Sequence, residues 1–221
     1  MDLNELSAWI APALLLMALA GCVYALLAAA LVGRFAARAP TVLAADAPRP
    51  GVTILKPLCG LEPDLFENLD SFCRQDYAGP VQVVFGIQNA ADPALSVVQR
   101  LREAHPRLRL DLVVDASQHG SNRKVSNLIN MSDKIAHDVV VLADSDMSVK
   151  PDYLERVVAA LLQPNVTGVT CLYHGVPGDR GVCAQLAALA IDVQFVPNVI
   201  LGTTFDLARP CFGSTIAMTA E

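Results

Sequence analysis

At 221 residues the chain is long enough for one good-sized domain and an appendage. Its apolar fraction of 53% and mean hydropathy of +0.43 are high for a soluble domain, so a membrane element is expected. A net charge of −6 excludes a broad nucleic-acid-binding surface, and six cysteines with no CxxC pair and no Cys/His ligand spacing argue against a zinc site.

Residues 8–33, AWIAPALLLMALAGCVYALLAAALVG, carry no charge. As a helix they would reach about 39 Å, enough to cross a ~30 Å hydrocarbon core. A cleaved signal peptide would carry a positive leader, whereas Asp2 and Glu5 precede this stretch. An interfacial amphipathic helix would need a polar face, and none exists. The stretch therefore reads as a transmembrane anchor. Arg34 and Arg38 follow it and no Lys or Arg precedes it, which places the amino terminus outside and the rest in the cytoplasm. That is a single pass of the cell inner (plasma) membrane.

Residues 34–50 are rich in Ala and Pro and read as a linker. Beyond them, residues 51–221 alternate strand-like with helix-like runs. Strands are predicted at 51–57, 81–87, 108–115, 138–144, 166–173 and 212–219, and helices at 61–74, 94–104, 123–136, 151–162 and 181–196. Short apolar runs separated by helices predict an α/β fold with a mainly parallel sheet covered on both faces. The apolar stretch 187–202 raises a second span, but Asp192, Gln194 and Pro197 oppose it. A helix packed on the core is favoured over one lying at the membrane surface. The six cysteines read as reduced and mostly buried.

The segment VVVLADSDMSVKPDYL, 139–154, ends an apolar run on Asp144 and Asp146. Like charges this close repel, so either both point into solvent or something positive sits between them. Side by side at a strand tip, about 6–7 Å apart along the backbone, they can converge on Mg²⁺ or Mn²⁺, which leaves coordination sites open for phosphate oxygens. A solvated turn using Asp and Ser is the plain alternative. A phosphatase-type DxDx[ST] is another, but that motif belongs on the first strand of its domain and three strands come earlier here.

Two further junctions carry chemistry. In GIQNAADPAL, 86–95, Asp92 can cap the helix that Pro93 starts, or accept from a nucleotide base. In GSNRKVSNLIN, 120–130, Arg123 and Lys124 open a helix whose amino terminus favours an anion such as pyrophosphate, or they are ordinary surface basic residues.

The ordered strings TILKPLCG, QNAADPA, NRKVSNL, VLADSDMSVKPDYL, YHGVP and RPCFGSTIAM resemble the ceramide glucosyltransferase family, and especially its bacterial hopanoid-associated glycosyltransferase branch. The resemblance covers residues 51–221. It implies a GT-A-like, Rossmann-type domain that is inverting and metal-dependent. Such a domain moves a hexose, of glucose or N-acetylglucosamine type, from a UDP-sugar to a lipid hydroxyl, hopanoid or ceramide-like. By the same resemblance Asp92, Lys124, Asp144 and His174 bind the nucleotide sugar, Asp144 and Asp146 hold the metal, and Gly175, Gly213 and Ser214 match backbone positions near the site. The family's general base and (Q/R)xxRW motif do not occur before Glu221, so the base is expected beyond that residue and the chain is expected to be truncated and impaired in transfer. A non-catalytic UDP-sugar-binding membrane protein and a polyprenyl-phosphate or polysaccharide glycosyltransferase stay open as alternatives.

Overall fold

The computed structural model describes residues 3–219. The chain forms two compact units, one of Met1–Ala39 with Tyr173–Pro210 and the other of Pro40–Leu172 with Cys211–Glu221.

The second unit is a six-stranded mixed sheet. In chain order its elements are β1 (Val52–Leu58), α2 (Leu65–Cys73), β2 (Val81–Ile87), α3 (Ala94–Ala104), β3 (Arg109–Val114), α4 (Arg123–Met131), β4 (Val139–Ala143), α5 (Tyr153–Leu161), β5 (Gly168–Thr170) and β6 (Thr215–Thr219); α1 (Leu3–Ala36) precedes them. Strand order is β3-β2-β1-β4-β6-β5. The pairs β1–β2, β2–β3 and β1–β4 are parallel, while β6 runs antiparallel to both neighbours. The mainly parallel α/β sheet expected from the sequence is therefore present, with one reversed strand.

β1 and β2 are buried almost without interruption, as strands covered on both faces must be. One face carries Ile54, Val83, Phe85 and Val141 under Leu69 and Phe72 of α2, Val97 and Leu101 of α3, and Leu154 and Val158 of α5. The other carries Leu55, Val84 and Val140 under Met131 of α4. α4 starts where the sequence placed it because Asn122 caps it, its side-chain oxygen accepting from the Val125 N–H at 3.1 Å. It ends at Met131 and hands over to a short 3-10 turn, Ser132–Lys134, so the helix is shorter than the 123–136 predicted. β5 shrinks to three residues of the 166–173 run.

The first unit is helical. α1 is a continuous helix, and its stretch Trp9–Ala36 is long and apolar enough to cross a membrane, with 6% of its most apolar 18 residues buried. α6 (Val182–Ala190), a π-helical turn (Ile191–Phe195) and α7 (Val196–Thr204) form a second apolar run. α7 packs against α1, where Tyr24 Oη donates to Asn198 Oδ1 at 3.0 Å. Only 17% of the most apolar 18-residue stretch within Val182–Thr204 is buried, so the expectation of a core helix fails. Periodicity alone could not see this, because an apolar helix reads the same whether core or lipid would cover it.

The thiols also depart from expectation. All six are free, Cys22, Cys59, Cys183 and Cys211 are exposed, and Cys73 and Cys171 are half-buried.

Candidate functional site

In a parallel α/β sheet, ligands gather outside the carboxyl ends of the strands where strand order reverses. Here the reversal lies between β1, which continues to β2 on one side, and β4 on the other. Asp144 follows β4 directly and occupies that position.

Two lysines answer the question its charge raised. Lys124, in the first turn of α4, donates from Nζ to Asp144 Oδ1 and also to the Gly213 carbonyl at 3.2 Å. Lys56, near the end of β1, is fully buried and donates to the Asp144 carbonyl. Its Nζ lies 3.6 Å from the centre of the Phe72 ring, a cation–π contact. Burial lowers the Lys56 pKa to about 7, against the opposing pull of Asp144, Asp146, Glu62 and Cys73. The turn itself is closed by Met147 N–H donating to Asp144 O at 3.4 Å, and Asp144 N–H reaches Ser214 O at 3.2 Å, tying the loop to the start of β6.

The sequence singled out Lys124, Asp144, Gly213 and Ser214, and the fold brings all four together. Lys56 was missed as a site residue. Its signal was a lone lysine inside the apolar run of TILKPL, where both faces of the strand are buried.

Asp146 is exposed, and among the described residues its carboxylate makes no ion pair. Asp144 and Asp146 together offer two hard oxygen donors at one turn. No cluster of three His, Cys, Asp or Glu side chains able to hold a metal occurs among the described residues. The pair suits Mg²⁺ or Mn²⁺, which binds through one or two carboxylates and fills its shell with water and phosphate oxygens, and does not suit a closed structural site.

Asp92 has a different setting. Its carboxylate accepts from the Gly60 N–H at 2.9 and 3.1 Å and from the Ala94 N–H at 2.9 Å. It thus caps α3 and holds the loop after β1, where Gly60 adopts φ +76°. The capping role read from the sequence is the one its bonds display.

His174 belongs to the helical unit and is exposed. Its neighbour Gly175 donates its N–H to Asp192 Oδ1 at 2.9 Å. A Cβ on Gly175 would stand 2.5 Å from the Ala188 carbonyl oxygen, so glycine is required there by close approach to α6. The expected base position, beyond Glu221, lies outside the described residues.

The sheet has the GT-A fold. A mannosyltransferase from Pyrobaculum calidifontis, solved in complex with GDP-Man and Mn²⁺, superposes with a TM-score of 0.56 at 24% identity over 88% of this chain and 56% of that one, a likeness of fold. The chain belongs to glycosyl transferase family 21, whose model matches residues 13–221. It is 28% identical over 126 residues to ceramide glucosyltransferase 1 of Caenorhabditis elegans, covering 57% of this chain and 27% of that protein. It is 29% identical over 133 residues to the ceramide glucosyltransferase of Gibberella zeae, covering 56% and 25%. The matched stretch thus spans about a quarter of the length of these curated relatives.

Proposed function

We propose that the chain carries the nucleotide-sugar-binding part of a membrane-anchored, inverting glycosyltransferase. The layout is an anchor at 8–33, a linker at 34–50 and a GT-A domain at 51–221 facing the cytoplasm. The donor is a UDP-sugar and the hexose, of glucose or N-acetylglucosamine type, passes to the hydroxyl of a membrane lipid, hopanoid or ceramide-like. Family membership and the names of the relatives support a glycolipid product, and the apolar α1 supports placing the domain where such an acceptor resides.

The single observation that carries this reading is Asp144 at the strand-order reversal with two lysines converging on it. Asp144 and Asp146 would hold the divalent ion, Mg²⁺ or Mn²⁺. When bound, that ion supplies positive charge against which a diphosphate can leave. Lys124 lies beside the acids and is placed to donate to a phosphate oxygen. Lys124 stands in the first turn of α4, whose amino-terminal dipole favours an anion there. Lys56 holds the backbone of the turn from beneath, so the acids are preorganised. The lipid hydroxyl attacks the anomeric carbon as UDP departs. We assign the base that takes its proton to none of residues 3–219.

Calorimetry tests the reading directly. The chain in lipid nanodiscs is expected to bind UDP in the presence of Mn²⁺, to lose that binding in EDTA, and to lose it in Asp144→Asn. UDP affinity indifferent to both changes would overturn the assignment.

A further inference from the structure

The run Val182–Thr204 belongs neither to the sheet core nor to the amino terminus, yet it is long and apolar enough to enter a membrane. Its exposed side chains are ordered. Val182, Leu186, Leu189 and Val193 recur at i, i+4, i+7 and i+11, forming one apolar stripe along the helix, and each is 53–72% exposed. Between Arg180 and Arg209 the only charges are Asp192 and Asp206. Asp192 accepts from the Gly175 backbone, and Asp206 pairs with Arg209 at 3.1 Å. The neighbouring α1 is equally bare, and α7 packs on it. A cleft of about 560 Å³ beside the π turn is walled by Ile191, Phe195, Val199, Ala208 and Pro210.

Chain connectivity decides how such a helix can meet a bilayer. The segment leaves the sheet after β5 and returns to it before β6, and these two strands are hydrogen-bonded neighbours. The Thr170 hydroxyl clasps both ends, accepting from the Phe212 N–H at 2.9 Å and donating to the Thr215 carbonyl at 2.9 Å. Departure and return therefore lie on one side of any membrane. A helix crossing from Val182 to Thr204 would have to come back through residues 205–211, which fully extended reach about 25 Å. The hydrocarbon core is ~30 Å thick, and extended backbone exposed to lipid is not tolerated within it.

We infer that Val182–Thr204 is a monotopic membrane element, which sinks its Val182–Leu186–Leu189–Val193 stripe into the leaflet nearest the sheet and leaves by the face it entered. Arg180 and Arg209 flank the run and then lie at the headgroup level of that face, where basic side chains meet lipid phosphates. The run contains a π turn and Pro197, features at which helices kink, which suits a helix that dips and returns. The inference stands apart from the nucleotide-sugar reading.

Tryptophan fluorescence of the full chain in phosphatidylcholine vesicles brominated along the acyl chains tests it. Trp9 is the only native tryptophan and reports on α1. In a Trp9→Phe background, Leu189→Trp and, as a second variant, Val193→Trp should each be quenched about two-fold or more, as for a helix face sunk below the headgroups. Cys183 and Cys211 flank the run and are both exposed, so variants retaining one or the other should react with an impermeant maleimide from the same side as Cys59. Unquenched emission at 189 and 193 alongside quenched Trp9 would overturn the inference, as would labelling of Cys183 and Cys211 from opposite sides. Unquenched Trp9 would instead remove α1 from the bilayer and this helix with it.

Discussion

Lys124 and Asp144 are joined side chain to side chain at the tip of β4, although they arise from different elements of the sheet unit. Their side chains are 37% and 34% exposed, so the pair is a partly solvated one worth at most about 1 kcal/mol to folding. Such a contact gives way at little cost to a ligand that offers each partner a stronger one.

Replacing Lys124 should therefore separate binding from stability. Lys124→Met is expected to shift the unfolding free energy by no more than about 1 kcal/mol. UDP affinity should fall about 10- to 150-fold, the loss of one charge-assisted hydrogen bond. Calorimetry and thermal melts on the same preparation check both halves. Equal affinity in the variant would remove Lys124 from the site.

Lys56 should behave differently because it is fully buried. Lys56→Met keeps most of the volume against Phe72 but leaves the Asp144 carbonyl with only the long bond from Met147. That lost bond costs about 1–3 kcal/mol, and relief of a buried charge's desolvation offsets part of it. The net stability change should stay within about 2 kcal/mol while Mn²⁺-dependent UDP binding weakens by about ten-fold or more through the loosened turn. Lys56→Glu would set another carboxylate among Asp144, Asp146 and Glu62 and should not fold. A folded Lys56→Glu protein, seen by circular dichroism, would refute this account of the turn.

Gly175→Ala should destabilise the helical unit. The added methyl would meet backbone of Ala188, at 2.5 Å from its oxygen and 2.6 Å from its Cα, so no side-chain rotation relieves it. Overpacking of this kind costs about 1–3 kcal/mol. Increased proteolysis within 173–210, with the sheet unit intact, is the expected readout.

Alkaline pH should weaken the fold through partly buried weak acids of the sheet unit. Burial pushes the Cys73 thiol from 9.0 up to about 12, and the Tyr77 hydroxyl, which donates to Pro50 O at 2.7 Å, from 10.0 to about 12. Between pH 9 and 12 the unfolded chain releases these protons while the folded chain keeps them. Stability from these groups is therefore complete below pH 9 and lost as pH rises towards 12. The melting temperature of Cys73→Ala should fall less steeply than that of the parent over this range. Parallel curves would show that the thiol does not titrate with folding.

The sequence by itself determined the local elements and the chemistry carried on them. A charge-free stretch long enough to cross a bilayer, β-branched runs alternating with helices and Asp92 before Pro93 each act over a few residues, so periodicity and capping chemistry reveal them. Paired acids after an apolar run were visible for the same reason. Only the tertiary structure decided what those acids face. Lys56 and Asp144 are 88 positions apart and meet because β1 and β4 are neighbours at the reversal of strand order. Lys56 holds the backbone carbonyl of Asp144, and Lys124 reaches its carboxylate from α4, on the opposite face of the sheet from α2. The antiparallel insertion of β6 likewise set the two ends of the apolar segment on hydrogen-bonded neighbouring strands, which a sequence reading of that stretch as a core helix could not reveal. Strand neighbourhood is set by long-range packing of whole elements, and no local pattern of side chains encodes it.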